Sequence, residues 1–288
     1  MPSSFVLTLS CPDRPGLVFA VTRWIAESGG NILDSQQFTD TTTGPDRGVE
    51  FFLRVHFDFA EPRETSALSA QFAPVADEHR MTYRLIDADR PLRALVMVSK
   101  EGHCLNDLLY RQSTGSLPVE IPAIVSNHRD LERLAGAYDV PFVHVPVSAD
   151  TKAEAETALL AMVDEMDVDL VVLARYMQIL SDDLCRALAG RAINIHHSFL
   201  PSFKGARPYH QAHDRGVKLI GATAHYVTAD LDEGPIIDQG VLRVDHRMTP
   251  ADLARVGRDV EAQTLSRAVQ LHAESRVLMN GTRTVVFD

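Results

Sequence analysis

Asn194-Ile195-His196-His197-Ser198-Phe199-Leu200-Pro201 is the densest polar constellation in the chain, and it closes an apolar run, Ala192 to Ile195, that reads as a strand. Asn194 and His196 stand two residues apart, so on extended backbone their side chains project to one side. Both can then face one substrate atom. An amide donor beside an imidazole suits a tetrahedral intermediate: the amide holds the oxyanion and the imidazole moves a proton. A second segment begins about thirty residues on. His225-Tyr226-Val227-Thr228-Ala229-Asp230-Leu231-Asp232-Glu233-Gly234-Pro235-Ile236-Ile237 sets acids and polar groups in a tight loop between apolar strands. Gly234-Pro235 marks the bend. A carboxylate held there would orient an imidazole or steer a water; a solvated hairpin tip is the bland alternative.

Metal binding is another chemistry open to these residue types. His196, His197, His210, His213 and His225 are the candidates, and His210 and His213 are spaced for one helical face. Neither an HExxH pattern nor a cysteine pair accompanies them, so no metal is expected. Cys11, Cys104 and Cys185 lie far apart and read as reduced thiols.

Two kinds of element order position these residues. Up to Ile86 the pattern is strand (4–10), helix from Asp13-Arg14-Pro15-Gly16 onward, strand (31–39), polar turn (41–47), strand (49–59), helix (63–76) and strand (81–86). That is the split β-α-β-β-α-β plan. Pro15 suits the first turn of its helix, and Gly29-Gly30 ends it. Asp87 to Pro91 is a short polar linker with a proline stop. Beyond it, apolar runs at 93–98, 121–126, 142–145, 170–173 and 192–195 alternate with helical stretches, which predicts a parallel sheet covered by helices. Strands follow at 221–227 and 236–244, then a long helix (250–271) and a hairpin about Asn280-Gly281. The fold class is α/β, with a ferredoxin-like N-terminal domain (1–86), a linker (87–91) and a Rossmann-like C-terminal domain (92–288).

The 288 residues carry 28 basic and 39 acidic side chains, a net charge of −11. An extended nucleic-acid footprint and a basic membrane surface are excluded on that balance. No apolar run approaches the ~20 residues needed to cross a bilayer, and the N-terminus lacks a signal-peptide pattern, so a cytoplasmic location is expected.

The strings NIHHSFLPSF and HYVTADLDEGPII resemble the formyltransferase fold of folate enzymes, and within it the hydrolytic branch, the formyltetrahydrofolate deformylase family. The N-terminal part, with DRPGLV, is similar to an ACT domain, a module that often binds amino acids. The pairing of these two domains is itself characteristic of that branch. The resemblance implies hydrolysis of 10-formyltetrahydrofolate with no cofactor, the folate being the substrate. It implies a catalytic triad of Asn194, His196 and Asp232. Met177, Gln178, Ile179 and Leu180 would line the pterin pocket, with Thr228 and Asp230 closing the other side. His197 stands where the amine transferases commonly have proline. The loop Ser99 to Asn106 has one glycine and an acid, Glu101, where those transferases cradle a phosphate. Both departures point to water as acceptor. Transfer to an amine and a catalytically silent folate sensor are the alternatives. The ACT similarity implies an amino-acid effector held by Asp13, Gly16, Leu17, Asn31 and Ile32, in a homo-oligomer.

Overall fold

The computed structural model describes residues 3–42, 48–200 and 208–288. Residues 43–47 of the expected polar turn, and the end of the NIHHSFLPSF string from Pro201, lie outside them. The chain forms two compact units.

The first unit holds Met1–Pro91, Glu274–Asn280 and Val285–Asp288. Its elements are β1 (Ser3–Pro12), α1 (Leu17–Glu27), β2 (Asn31–Asp40), β3 (Glu50–Phe59), α2 (Thr65–His79) and β4 (Thr82–Asp87). The strands make an antiparallel sheet in the order β2-β3-β1-β4. Alternation explains the pairing. Phe5, Leu7 and Leu9 stand opposite Phe57, Val55 and Leu53, all buried on the face that takes the helices. Leu17, Val21, Trp24 and Ile25 of α1 and Leu68, Phe72 and Ala76 of α2 fill that core. Each large side chain buried there contributes about 1.5–3 kcal/mol. Pro15 is not in the first turn of α1. Gly16 holds a left-handed φ of 95°, so the helix starts after it, at Leu17.

The second unit holds Leu92–Ala273 and Gly281–Thr284. It runs β5 (Leu92–Val98), α3 (His103–Ser113), β6 (Val119–Glu120), β7 (Ile124–Ser126), α4 (Glu132–Gly136), β8 (Phe142–His144) and α5 (Lys152–Glu165). It continues with β9 (Leu170–Leu173), α6 (Asp182–Ala187), β10 (Ala192–His196), α7 (Pro208–Asp214), β11 (Leu219–Tyr226), β12 (Ile236–Arg243) and α8 (Pro250–Ala273). The sheet order is β12-β11-β10-β9-β5-β7-β8, with β6 beside β5. Strands β5 to β10 pair in parallel, and β11 and β12 are antiparallel. From β5 the chain builds outward to β8, then returns to lay β9 on the other side. That reversal opens a crevice at the carboxyl ends of β5 and β9, the usual ligand position in such sheets. Two elements have no counterpart in the sequence reading: β6 is only two residues long, and α7 lacks an apolar stripe.

After α8 the chain rejoins the first unit. Strands β13 (Val277–Asn280) and β14 (Arg283–Val286) form the expected hairpin. Leu278, Val285 and Phe287 pack on Phe52, which is 1% exposed and lies on the face of β3 away from the helices. Arg54, on the same face, pairs with Asp34 at 2.8 Å and donates to the Glu274 carbonyl. The sequence division assigns this tail to the second domain; its apolar residues instead complete the outer face of the first sheet.

Candidate active site

Strand β10 delivers Asn194 and His196 to one cavity, of about 880 Å³. The loop between β11 and β12 delivers Asp232 to the same place. His196 Nδ1 lies 3.2 Å from Asp232 Oδ2, so the ring donates through Nδ1. Its Nε2 is buried and has no partner within the protein. In the neutral ring that atom carries the lone pair. Asp232 sits in the left-handed region, φ 57°, a conformation that costs a non-glycine residue about 1–3 kcal/mol and clusters at functional sites. The hydrogen bond from His196, and then the nearness of His225, hold its carboxyl well below the ordinary range, against a smaller opposing effect of burial.

His225 is the member that sequence reading treated only as a metal candidate. It stands opposite Asn194 in the β10–β11 register. Its Nδ1 donates to the Tyr226 carbonyl at 2.9 Å, which leaves Nε2 of the neutral ring as an acceptor. Asn194 Nδ2 lies 3.3 Å from that Nε2, and Asp232 Oδ1 lies 3.7 Å from it. One amide hydrogen of Asn194 is thereby fixed on His225, and the second remains for a ligand.

The segment after β9 forms an apolar wall of the cavity. Met177 and Ile179 are 58% and 64% exposed, so they are not core; they line the cavity with Gln178 and Leu180. Ser99 sets the position of this wall: its Oγ accepts from the Met177 N–H at 3.0 Å and donates to Asn127 Oδ1 at 2.7 Å. Thr228 lines the cavity too. Asp230 does not: it is exposed, and its carbonyl accepts from Thr228 Oγ1 at 3.0 Å, closing the turn before Asp232.

A second polar group lines the same cavity. Glu261, on α8, is 1% exposed and accepts from His103 Nε2 at 2.8 Å and Tyr209 Oη at 2.6 Å. Arg175 Nε lies 3.4 Å away, and Arg175 Nη1 donates to His197 Nδ1. Burial alone would raise the Glu261 carboxyl, but His103, Arg175 and Tyr209 together hold it below the ordinary value. His197 lines the cavity with its ring stacked on that of His196. Glu101, from the loop after β5, adds another carboxylate to the lining.

Comparison with known proteins places this arrangement. The Formyl transferase family matches residues 92–269 and the ACT domain family residues 5–66. A formyltetrahydrofolate deformylase of Corynebacterium sp. (strain P-1) is 50% identical over 98% of this chain and 97% of its own length. The chain belongs to the formyltetrahydrofolate deformylase family. A crystal structure of the family from Burkholderia mallei superposes with a TM-score of 0.93 at 50% identity, covering 99% of this chain and 100% of that one. A glycinamide ribonucleotide transformylase from Symbiobacterium toebii matches less of the chain, 68%, with a TM-score of 0.64 and 34% identity. The deformylase family thus shares both units, and the transferases share about the extent of the second.

Among the described residues, the histidines proposed as metal candidates do not form a ligand cluster. His103, Cys104 and Glu261 come within metal-ligating distance of one another. Burial pushes the Cys104 thiol well up, and Glu261 already accepts from His103 and Tyr209 beside a fixed cation, Arg175. The five residues expected to hold an effector are not brought together in one chain. Asp13, Gly16 and Leu17 follow β1, whose Pro12 pairs with Glu50 at one end of β3. Asn31 and Ile32 pair with Asp58 and Phe57 at the other. At ~3.3 Å per residue the two groups stand roughly 25 Å apart along the sheet. Leu17 is buried in the core, whereas Ile32 is exposed on the edge strand. No helix among the described residues is long and apolar enough to cross a membrane.

Proposed function

We propose that this chain hydrolyses 10-formyltetrahydrofolate to tetrahydrofolate and formate, without a cofactor, in the cytoplasm. The observation that carries the reading is the joining of Asn194, His196 and Asp232 at the wall of one cavity whose other wall is apolar and exposed. Small-molecule sites have this character, mostly apolar with a few converging polar groups. The pterin would lie against Met177, Gln178, Ile179 and Leu180. The formyl group would then face β10.

The chemistry follows from the tautomers. Asp232 keeps His196 with its proton on Nδ1, so Nε2 accepts a proton from water. The water oxygen bonds to the formyl carbon, and the carbonyl oxygen becomes an oxyanion. The free amide hydrogen of Asn194 and the newly formed His196 imidazolium stabilise it. The C–N10 bond then breaks, the proton on His196 Nε2 passes to N10, and formic acid leaves and ionises to formate. Of the two roles the sequence leaves open to a carboxylate in this loop, orienting an imidazole or steering a water, the contact at 3.2 Å supports the first.

The reaction would return tetrahydrofolate to the one-carbon pool and supply formate, for example to purine synthesis. An amino acid such as glycine or methionine would act at the first unit. Because Asp13 to Leu17 and Asn31-Ile32 lie at opposite ends of β3 in one chain, the effector would bind between two copies of a homo-oligomer.

Formate release from 10-formyltetrahydrofolate with no amine present tests the reaction. Asp232→Asn is expected to bind folate within about threefold of wild type while kcat falls about 10³–10⁴-fold, because an amide no longer enforces the His196 tautomer. Near-normal turnover by that variant would refute the assignment. Formate release only with an added amine acceptor would make the chain a transferase, and binding without turnover a sensor.

A further inference from the structure

His197 makes its contact to Arg175 through Nδ1. A guanidinium only donates, so Nδ1 must accept, and the ring proton sits on Nε2. Burial first, and then the Arg175 charge, push the imidazole down to about 4, so the ring is neutral at physiological pH. His196 has the opposite tautomer, with Nδ1–H on Asp232 and the lone pair on Nε2. The two rings stack with centroids 5.2 Å apart and planes 22° from parallel. Neighbouring imidazoles therefore present one acceptor nitrogen and one donor nitrogen.

A water molecule satisfies both. One hydrogen goes to His196 Nε2 and one lone pair accepts from His197 Nε2–H. A second lone pair is left to attack carbon. A primary amine has a single lone pair, and a hydrogen bond from His197 would occupy the electrons it needs for attack. We infer that His197 selects water as the nucleophile, and that Arg175 and Glu261 are the positioning residues that hold its ring in the donating tautomer. The inference rests on the hydrolytic reading and names the group that enforces it.

The surroundings are built for this. Glu261 offsets the charge of Arg175, whose side chain is largely buried and whose backbone takes the left-handed region with φ 66°. Glu261 is itself held by His103 and Tyr209. A Cβ at Gly257, one helical turn before Glu261, would stand 2.0 Å from Tyr209 Oη, so the missing side chain admits the tyrosine.

The test uses the full-length enzyme with 10-formyltetrahydrofolate, with and without hydroxylamine as an amine probe. His197→Phe keeps a ring and removes the donor. It is expected to hydrolyse about 10- to 100-fold more slowly, with folate KM within about threefold and the ratio of formyl transfer to hydrolysis raised about tenfold or more. His197→Gln restores an N–H donor and is expected to return hydrolysis to within about fivefold of wild type. In imidazole ¹⁵N spectra, the signal missing from His197→Phe should be an Nε2–H tautomer in wild type and a mixture in Glu261→Gln. If the Phe variant does not fold, the Gln variant identifies that signal. An Nδ1–H tautomer, or a Phe variant with wild-type rate and ratio, overturns this inference and leaves the hydrolase reading standing. Absence of formate release by the wild-type chain overturns both.

Discussion

Gly234→Ala should disable the enzyme through a single methyl group. Gly234 is not needed for a left-handed φ; it is needed for closeness. The Tyr226 N–H donates to the Pro235 carbonyl at 2.9 Å, which folds the loop back on the end of β11. A Cβ at Gly234 would stand 1.7 Å from the Tyr226 carbonyl oxygen. Non-bonded heavy atoms need roughly 3.2–3.5 Å, so loop or strand must retreat by about 1.5 Å. Asp232 is two residues away, and its Oδ2 lies 3.2 Å from His196 Nδ1. A displacement of that size breaks the hydrogen bond. Misplacement of a catalytic group by about 1 Å costs about 10²-fold in rate. The expected outcome is kcat lower by about 10²-fold, folate KM changed by no more than about threefold, and stability lower by about 1–3 kcal/mol. Formate release and thermal melts measure these. An alanine variant with kcat within about threefold of wild type would show that closeness at this bend does not set Asp232.

Two other outcomes follow from the same side chains. His197 is neutral in the folded chain down to about pH 4, against an ordinary value of 6.5, because of burial and then Arg175. Between those values the unfolded chain binds a proton that the folded chain refuses, so stability is complete above about 6.5 and falls as pH drops toward 4. At about 1.4 kcal/mol per pH unit the loss is roughly 3 kcal/mol, and His197→Gln should remove it from denaturant titrations at pH 4.5 and 7.5; equal slopes would contradict this. Ser99→Ala strands the Met177 N–H and the Asn127 amide oxygen, at about 1–3 kcal/mol. It should raise folate KM about 3- to 10-fold with kcat nearly unchanged, and a variant losing kcat alone would place Ser99 in the chemistry.

Residues facing a single environment were legible in the sequence. Phe51, Leu53, Val55, Phe57 and Phe59 alternate because the helix-covered face of β3 is uniformly apolar. Phe52 breaks that alternation, since its own face is covered by a tail more than two hundred residues away in sequence. Asn194, His196 and Asp232 were found because they lie in strings with recognisable types and spacing. His225 lay in one of those strings, but its role depends on the β10–β11 register, which is a long-range pairing. Glu261 went unnoticed, yet a local signal existed. Leu253, Gly257, Glu261 and Leu265 recur every fourth residue on the buried stripe of α8, and an acid in such a stripe needs partners. The separation of the effector residues within one chain was not legible, because strand pairing, not position in the sequence, decides which end of a sheet each loop occupies.

The return of the tail to the first unit has a consequence for how this protein is made. The ribosome finishes β4 long before it reaches Leu278, Val285 and Phe287. At about 5–20 residues per second, the nascent sheet waits roughly 10–40 s with Phe52 uncovered. A segment made early is completed by one made some two hundred residues later, so a fragment ending at the linker lacks the covering of its own sheet. Effector binding is therefore best measured on the released, full-length chain.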